Sequence, residues 1–212
     1  MEGYKLTNTL DQTWGGTQWG EGVEHTATGP GVGFCTPDLI HFYDHPLLAV
    51  LHNPIHVNYQ PALLWRGEAM DPVYSDMGIK WGCKRFRTLE RTPLPKITPT
   101  QITAYGILCA LEVYQEPSWR AWAKAWLDGT DRTIDSAYAA RATATAYLAA
   151  HASAAEAAAA AIYAAAATAS ASVAPTDAAY AAAAAASAAT HSDRVNKPFS
   201  LLACAQAALD IN

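Results

Sequence analysis

Short apolar runs, separated by turns of glycine, proline and asparagine, fill the N-terminal part of the chain. Runs of this kind, bounded by turn residues, are typical of strands in a small sheet. Residues 29–33 (GPGVG) predict a loop between two of these runs. The predicted strands are residues 3–7, 39–43, 62–68, 78–82 and 84–89, and a further glycine-interrupted strand holds Trp14 and Trp19.

Helix start and stop signals lie between and after these runs. His45-Pro46 predicts a helix start, because proline is tolerated at the first helical position, and Asn53-Pro54 predicts its end. Trp119 and its partners at helical spacing predict a core stripe, or a seam against the helices that follow. Further helices are predicted over residues 100–114, 118–127 and 199–209, and the stripe comprises Trp119, Trp122 and Trp126.

Alanine dominates the C-terminal part, and no glycine or proline lies between Gly129 and Pro175. Alanine has the best helix propensity, so this tract predicts one unbroken helix, about 60 Å long for about 40 residues. A second block over residues 176–190 predicts an antiparallel partner that covers less than half of the rod. The remainder is then exposed or covered by another copy, which favours a homo-oligomer through residues 133–190.

These patterns predict an α+β protein: a small mixed domain over residues 1–129, closed by two helices, and an alanine-rich helical extension over residues 130–212. The extension forms either a helical hairpin or an oligomeric bundle. All seven tryptophans and all thirteen glycines lie in the first part. Methyl side chains carry no chemistry, so any functional site is expected there.

Charge and cysteine content limit the function classes. The net charge of −5 disfavours a general nucleic-acid binder, although Lys84, Arg85, Arg87 and Arg91 form a basic patch that could contact phosphate. The four cysteines lack CxxC pairing, and the N-terminus lacks an apolar signal core, so a cytoplasmic protein is expected. Residues 152–173 are long enough to span a bilayer, but their serines, threonine and glutamate favour no membrane association.

Four histidines lie within 16 residues, in two H-x3-H pairs. On one continuous helix each pair could ligate zinc, but Pro46 and Pro54 interrupt the segment. We therefore expect no metal and no cofactor, with most of the histidines satisfied locally and His41 the best single candidate for acting on a ligand. The glycine clusters lack phosphate-loop signatures and predict turns. The four histidines are His41, His45, His52 and His56.

Several stretches of the first 130 residues resemble an uncharacterised family of phage and prophage proteins, whose members similar to this chain also run into alanine-rich tails. The resemblance implies phage origin, and hence a place in the cytoplasm of an infected cell or in the virion. The stretches are residues 16–22 (GTQWGEG), 40–50 (IHFYDHPLLAV), 53–56 (NPIH) and 107–114 (ILCALEVY).

The layout of Tyr4-Lys5 in a first strand, followed by an Ile-His strand and an apolar helix, is similar to ADP-ribosyltransferase-like domains. That resemblance implies a nucleotide held by Lys5 and His41, with Glu68 or Glu112 as the catalytic acid. The candidate ligand-binding residues are Lys5, Trp19, His41, His45 and Glu68.

The hypothesis that these features favour is a non-enzymatic phage accessory protein. Its head binds a host protein or a small nucleotide-like ligand, and its alanine-rich helices assemble copies. Two alternatives remain open: a nucleotide-handling transferase, and a structural or decoration protein of the virion. Whether the protein is an enzyme is not decided by the sequence.

Overall fold

The computed structural model describes residues 1–171, 174–192 and 199–212, and it confirms the predicted α+β class. The chain divides into two compact units, Met1–Lys96 and Ile97–Asn212. The boundary predicted from the sequence lies after residue 129 instead. The difference arises because helices α2 (Pro99–Val113) and α3 (Pro117–Leu127) pack with the alanine-rich helices.

The N-terminal unit is built on an antiparallel sheet. A long hairpin of β6 and β7 forms its centre, with β1 on the far side of β6 and both β4 and β5 paired to β7. The predicted strands 78–82 and 84–89 are parts of β7 and its turn. The strands are β1 (Glu2–Thr7), β2 (Gln12–Thr13), β3 (Thr17–Gln18), β4 (Glu24–Thr26), β5 (Ile40–Phe42), β6 (Leu63–Asp76) and β7 (Lys80–Thr92).

Aromatic side chains fill the core on one face of this sheet. Phe86 contacts Phe42 and Trp19, with ring centroids 5.3 and 6.0 Å apart. Gly3 crosses this cluster so closely that a Cβ there would lie 2.3 Å from the Phe42 ring, so only glycine fits. The backbone of β1 is thereby held against the aromatic core.

The segment that holds Trp14 and Trp19 is a small hairpin of β2 and β3. Gly15 and Gly16 turn the chain with φ angles of 73° and 77°, which L side chains rarely adopt. Trp19 is buried, whereas Trp14 at the tip is 92 % exposed.

Helix α1 (Pro46–His56) begins as predicted, with the His45 ring accepting a hydrogen bond from the Leu47 amide, 3.2 Å away. Its predicted end is wrong, because the helix continues through Pro54. Proline in the last turn gives up only its own amide hydrogen bond, and the Asn53 carbonyl accepts the amide of Val57 to close that turn. His52 and His56 therefore lie on one intact helix.

In the C-terminal unit, helices surround α2, which packs against α3, α5, α6 and α7. The Thr98 side chain caps α2 in a reciprocal pair with Gln101, two residues before the predicted start of this helix at residue 100. Gly129 ends the α3 region with φ 81°, as its position predicts. The remaining helices are α4 (Ile134–Ala150), α5 (Ala155–Ser170), α6 (Pro175–Thr190) and α7 (Leu201–Leu209).

The prediction of one unbroken rod is wrong. Helix α4 ends at Ala150, a short 3-10 turn follows, and α5 packs back on α4. Helix propensity is a weak prior, and it says nothing about where a chain reverses to bury its surface. An isolated alanine helix buries little apolar surface and is therefore only weakly stabilised. Two antiparallel helices that pack against each other bury the methyl groups of both.

The alanine faces of α5 and α6 point inward, while larger side chains on the same tract point to solvent. Ala182 on α6 is fully buried, and its Cα lies 3.0 Å from the position of a Cβ added to Gly106 of α2. The small residues thus let two helix backbones approach closely. The large side chains of the tract that are exposed include Ile134, Tyr138, Tyr163 and Tyr180.

The prediction that the tryptophan stripe is part of the core is confirmed. Trp119 and Trp126 are buried, and the Trp122 indole donates a hydrogen bond to the Ser136 hydroxyl of α4. Tyr114 connects the two sides of this seam, because its ring contacts Trp119 at 5.4 Å and Tyr147 of α4 at 5.3 Å.

None of the helices in the described residues combines the length and apolarity that a membrane span requires.

Candidate functional site

Lys80, the first residue of β7, is the centre of a group of titratable side chains in the N-terminal unit. Although Lys80 is only 8 % exposed, its Nζ lies 3.2 Å from the Cys35 Sγ and 3.7 Å from the Asp76 carboxylate. Two segments distant in sequence therefore meet at one buried cation. We name the Lys80 cluster for its members Cys35, His41, His52, His56, Asp76 and Lys80.

Cys35 is the exposed member, at the tip of the loop before β5. Its φ of 61° lies in the left-handed region, a strained conformation for a side chain other than glycine, asparagine or aspartate. Its amide donates a hydrogen bond of 3.2 Å to Nε2 of His41, whose ring stacks on Phe34 with centroids 5.7 Å apart. The loop thus presents a thiol beside a flat aromatic pair.

A network of backbone hydrogen bonds holds this loop in shape. The Asp38 carboxylate accepts the amides of Gly33 and Gly31, at 3.1 and 3.0 Å, and these bonds lower its pKa. The Lys84 ammonium donates to the carbonyls of Gly29, Gly31 and Asp38. Lys84, predicted as part of a phosphate-contacting patch, is thus engaged in fixing the loop.

Two histidines of α1 complete the cluster. The rings of His52 and His56 stack at 5.9 Å, and Nδ1 of His56 shares a hydrogen bond of 2.6 Å with the Tyr43 hydroxyl. Burial, followed by repulsion from His56 and Lys80, lowers the pKa of His52 to about 3. Burial and the charge of Lys80 likewise lower the pKa of His41 to about 4 and that of His56 to about 4. All three rings are neutral at pH 7.

Strongly shifted pKa values on partly exposed groups are typical of functional sites. Here a buried ammonium, an exposed thiol and neutral imidazoles that accept or donate hydrogen bonds lie together. His41 and His56 are half-buried, so part of each residue is exposed to solvent. The arrangement can bind an anionic or hydrogen-bonding ligand without first displacing a histidine proton.

Three of the predicted ligand-binding residues, Lys5, Trp19 and His41, do meet. The Lys5 Nζ donates 2.8 Å to the His41 carbonyl and lies 4.8 Å from the centre of the Trp19 ring. Burial lowers the pKa of Lys5 to about 8. The contact uses the backbone of His41, so Lys5 and Trp19 support the strand from within the core while the His41 ring faces the loop.

The other two predicted ligand-binding residues lie elsewhere. His45 caps α1. Glu68 pairs in register with Glu2, whereas Lys5 is three positions farther along β1, so alternation places Lys5 and Glu68 on opposite faces of the sheet. Glu112, the alternative acid, belongs to α2 in the C-terminal unit. The transferase resemblance implies that Lys5 and a catalytic Glu68 act on one nucleotide, whereas the strand register places these two side chains on opposite faces of the sheet.

The arginines of the predicted basic patch each have an acidic partner on a neighbouring segment. The Arg91 guanidinium also lies over the Trp65 ring, 5.2 Å from its centroid. Exposed pairs of this kind neutralise the surface and leave little free positive charge for phosphate. The pairs are Arg85–Glu24 at 3.6 Å, Arg87–Glu68 at 3.2 Å and Arg91–Asp11 at 2.5 Å.

Neither Lys80 nor the interaction of His56 with it was predicted from the sequence. The H-x3-H spacing of His52 and His56 was the available signal, but the proline between them argued against a continuous helix. The contact between Cys35 and Lys80 joins residues 45 positions apart, so no local pattern could have revealed it.

Within the described residues, no group of three or more His, Cys, Asp or Glu side chains is arranged to hold a metal ion.

The C-terminal unit has a broad open groove of about 690 Å³, lined in part by Arg120 and Lys124. Arg120 there donates to the carbonyls of Leu111 and Tyr114, so the groove presents few free polar groups.

No protein-family model, curated protein or solved structure matches this chain.

Proposed function

We propose that the N-terminal unit is a binding module for a small nucleotide-like ligand, with the Lys80 cluster as its site. The observation that carries this proposal is the buried Lys80 ammonium, which lies 3.2 Å from the exposed Cys35 thiol. Its charge helps to lower the pKa of three histidines, His41, His52 and His56, so that their rings are neutral at pH 7. A cation held in place by folded structure loses little entropy when it binds an anion.

The neighbours of Lys80 favour a ligand with both a phosphate and a planar ring. An ammonium carries three donors, so Lys80 can serve a phosphate oxygen as well as Asp76 and Cys35. The stacked pair of Phe34 and His41 offers an aromatic surface beside that charge, on which a base could stack. These features support a nucleotide more than a purely anionic or purely apolar ligand.

Binding without turnover is preferred over the transferase alternative. The catalytic carboxylate that the resemblance implies is Glu68 or Glu112, and the Glu68 side chain is paired with Arg87 on the face opposite Lys5. Consumption of NAD by the purified protein would overturn this preference.

Calorimetric titration with NAD and cyclic nucleotides tests the site. Replacing Lys80 by methionine should weaken binding about 10- to 100-fold, because a charge-assisted hydrogen bond contributes about 1.5–3 kcal/mol. Lys96→Met, at an exposed lysine of the same unit, should leave the affinity unchanged. Equal affinities in wild type and Lys80→Met would place any binding elsewhere.

A second readout uses the unmodified chain. Cys35 is exposed, whereas the other three cysteines are buried, so iodoacetamide should label Cys35 first. A ligand at the Lys80 cluster should slow that labelling. Unchanged labelling in the presence of a ligand that binds by calorimetry would contradict the proposed site.

The resemblance to phage proteins supports a role as a phage accessory protein in the cytoplasm of the infected cell, with a virion location as the alternative. Assembly of copies through residues 133–190 would use the outer face of α4, where Ile134 and Tyr138 are exposed, since the alanine faces of α5 and α6 are largely buried. Light scattering tests this assembly, and the mass of a single chain at micromolar concentration would count against it.

A further inference from the structure

Two cysteines meet in the C-terminal unit, where neither has a part in the proposed ligand site. Cys109 lies on α2 and Cys204 on α7, and both are buried. The two helices run antiparallel, because the Gln101 side chain at the start of α2 donates 2.8 Å to the Leu209 carbonyl at the end of α7. That register places Cys109 beside the first turns of α7.

Both thiols are buried where α2 packs on α7, and each influences the ionisation of the other. Tyr105, one turn before Cys109 on α2, interacts with both of these thiols. The interaction with Cys109 lowers the pKa of Cys204, whereas burial raises the pKa of Cys109. Cys204 is therefore the thiol that ionises more readily and attacks first.

We propose that Cys109 and Cys204 form a reversible disulfide that fastens α7 to α2 when the protein meets a disulfide oxidant. The Cys204 thiolate attacks one sulfur of glutathione disulfide, which releases one glutathione thiolate and leaves a mixed disulfide. The Cys109 thiolate then attacks the Cys204 sulfur and releases the second glutathione. The two protein thiols lose two hydrogens in total, and the oxidant is reduced to two glutathione molecules.

The position of α7 explains why such a bond would have an effect. This helix has only nine residues, and beyond its buried face it is tied by the Gln101 contact and by the Arg132 guanidinium, which donates to the Asn212 carbonyl. A short terminal helix opens locally at small cost, which also admits the oxidant. The disulfide would close a long loop between α2 and α7 and restrict that opening.

The test is oxidation of the full chain with excess glutathione disulfide, followed by unfolding in the presence of an alkylating agent and proteolysis without reductant. We expect one peptide pair joined through Cys109 and Cys204, slower hydrogen exchange in α7, and an intact mass lower by two hydrogens once any glutathione on Cys35 is subtracted. Dithiothreitol should reverse all three changes. Alkylation of both cysteines after unfolding, with glutathione found on Cys35 alone, would overturn the proposal.

Two variants separate the bond from general effects of oxidation. Cys204→Ser should lose the cross-linked peptide and the slower exchange, whereas Cys83→Ser, at a buried cysteine of the other unit, should retain both. The same oxidant-induced slowing of exchange in Cys204→Ser would also contradict the proposal. Because the readouts are covalent and lie in the C-terminal unit, they do not depend on ligand binding at the Lys80 cluster.

Discussion

Replacing Ala182 by leucine should lower the free energy of unfolding of the C-terminal unit by about 2–3 kcal/mol. Ala182 is fully buried on α6, and its Cα would lie 3.0 Å from a Cβ at Gly106 of α2. An isobutyl group has no space there, so the helices must separate. Denaturant unfolding followed by far-UV circular dichroism measures the loss.

Ala142→Leu is the matched control, because it makes the same substitution on the exposed face of α4. A surface change of this type alters stability by at most about 0.5 kcal/mol. Equal effects at Ala142 and Ala182 would mean that α6 does not pack tightly on α2. A large effect at Ala142 alone would mean that the outer face of α4 is covered by another copy.

Acidification should destabilise the N-terminal unit strongly. The pKa of His52 is about 3 in the folded chain and about 6.5 in an unfolded chain, so between these values the unfolded state binds more protons. Stability from this group is therefore present above pH 6.5 and falls as the pH is lowered. At pH 4 the loss from His52 alone is on the order of 3 kcal/mol, and His41 and His56 act in the same direction.

Hydrogen exchange of α1 and β1 amides at pH 7 and below measures this loss within the N-terminal unit. His52→Leu removes the titrating ring and should flatten the profile. Leu51→Ala, at the buried neighbour on the same helix, should lower stability at every pH without changing the slope. An unchanged slope in His52→Leu would show that His52 does not control the acid response.

Local signals account for the parts of the fold that the sequence predicted well. His45-Pro46 marks the start of α1 and Gly129 the end of the α3 region, because capping and backbone strain act over a few residues. The alanine tract contains no glycine or proline at the point where it reverses. Its reversal near His151 depends on packing between α4 and α5, which helix propensity does not encode.

The candidate site was harder to predict than the fold, for the same reason. The resemblance placed Lys5 near His41, and they do meet, but through a carbonyl in the core. The strand register, which no local pattern reveals, places Glu68 on the face of the sheet opposite Lys5. Lys80 and Cys35 had no recognisable motif, since their contact depends on how the loop before β5 folds over the start of β7.

Hydrogen exchange of the α5 amides over a dilution series tests most directly whether the alanine-rich tract is packed within its own chain. We expect slow exchange in α5, matching that of α2 and unchanged by dilution, because the buried alanines of α5 are covered by α2, α4 and α6. Fast exchange in α5, or protection that disappears as the protein is diluted, would contradict this packing.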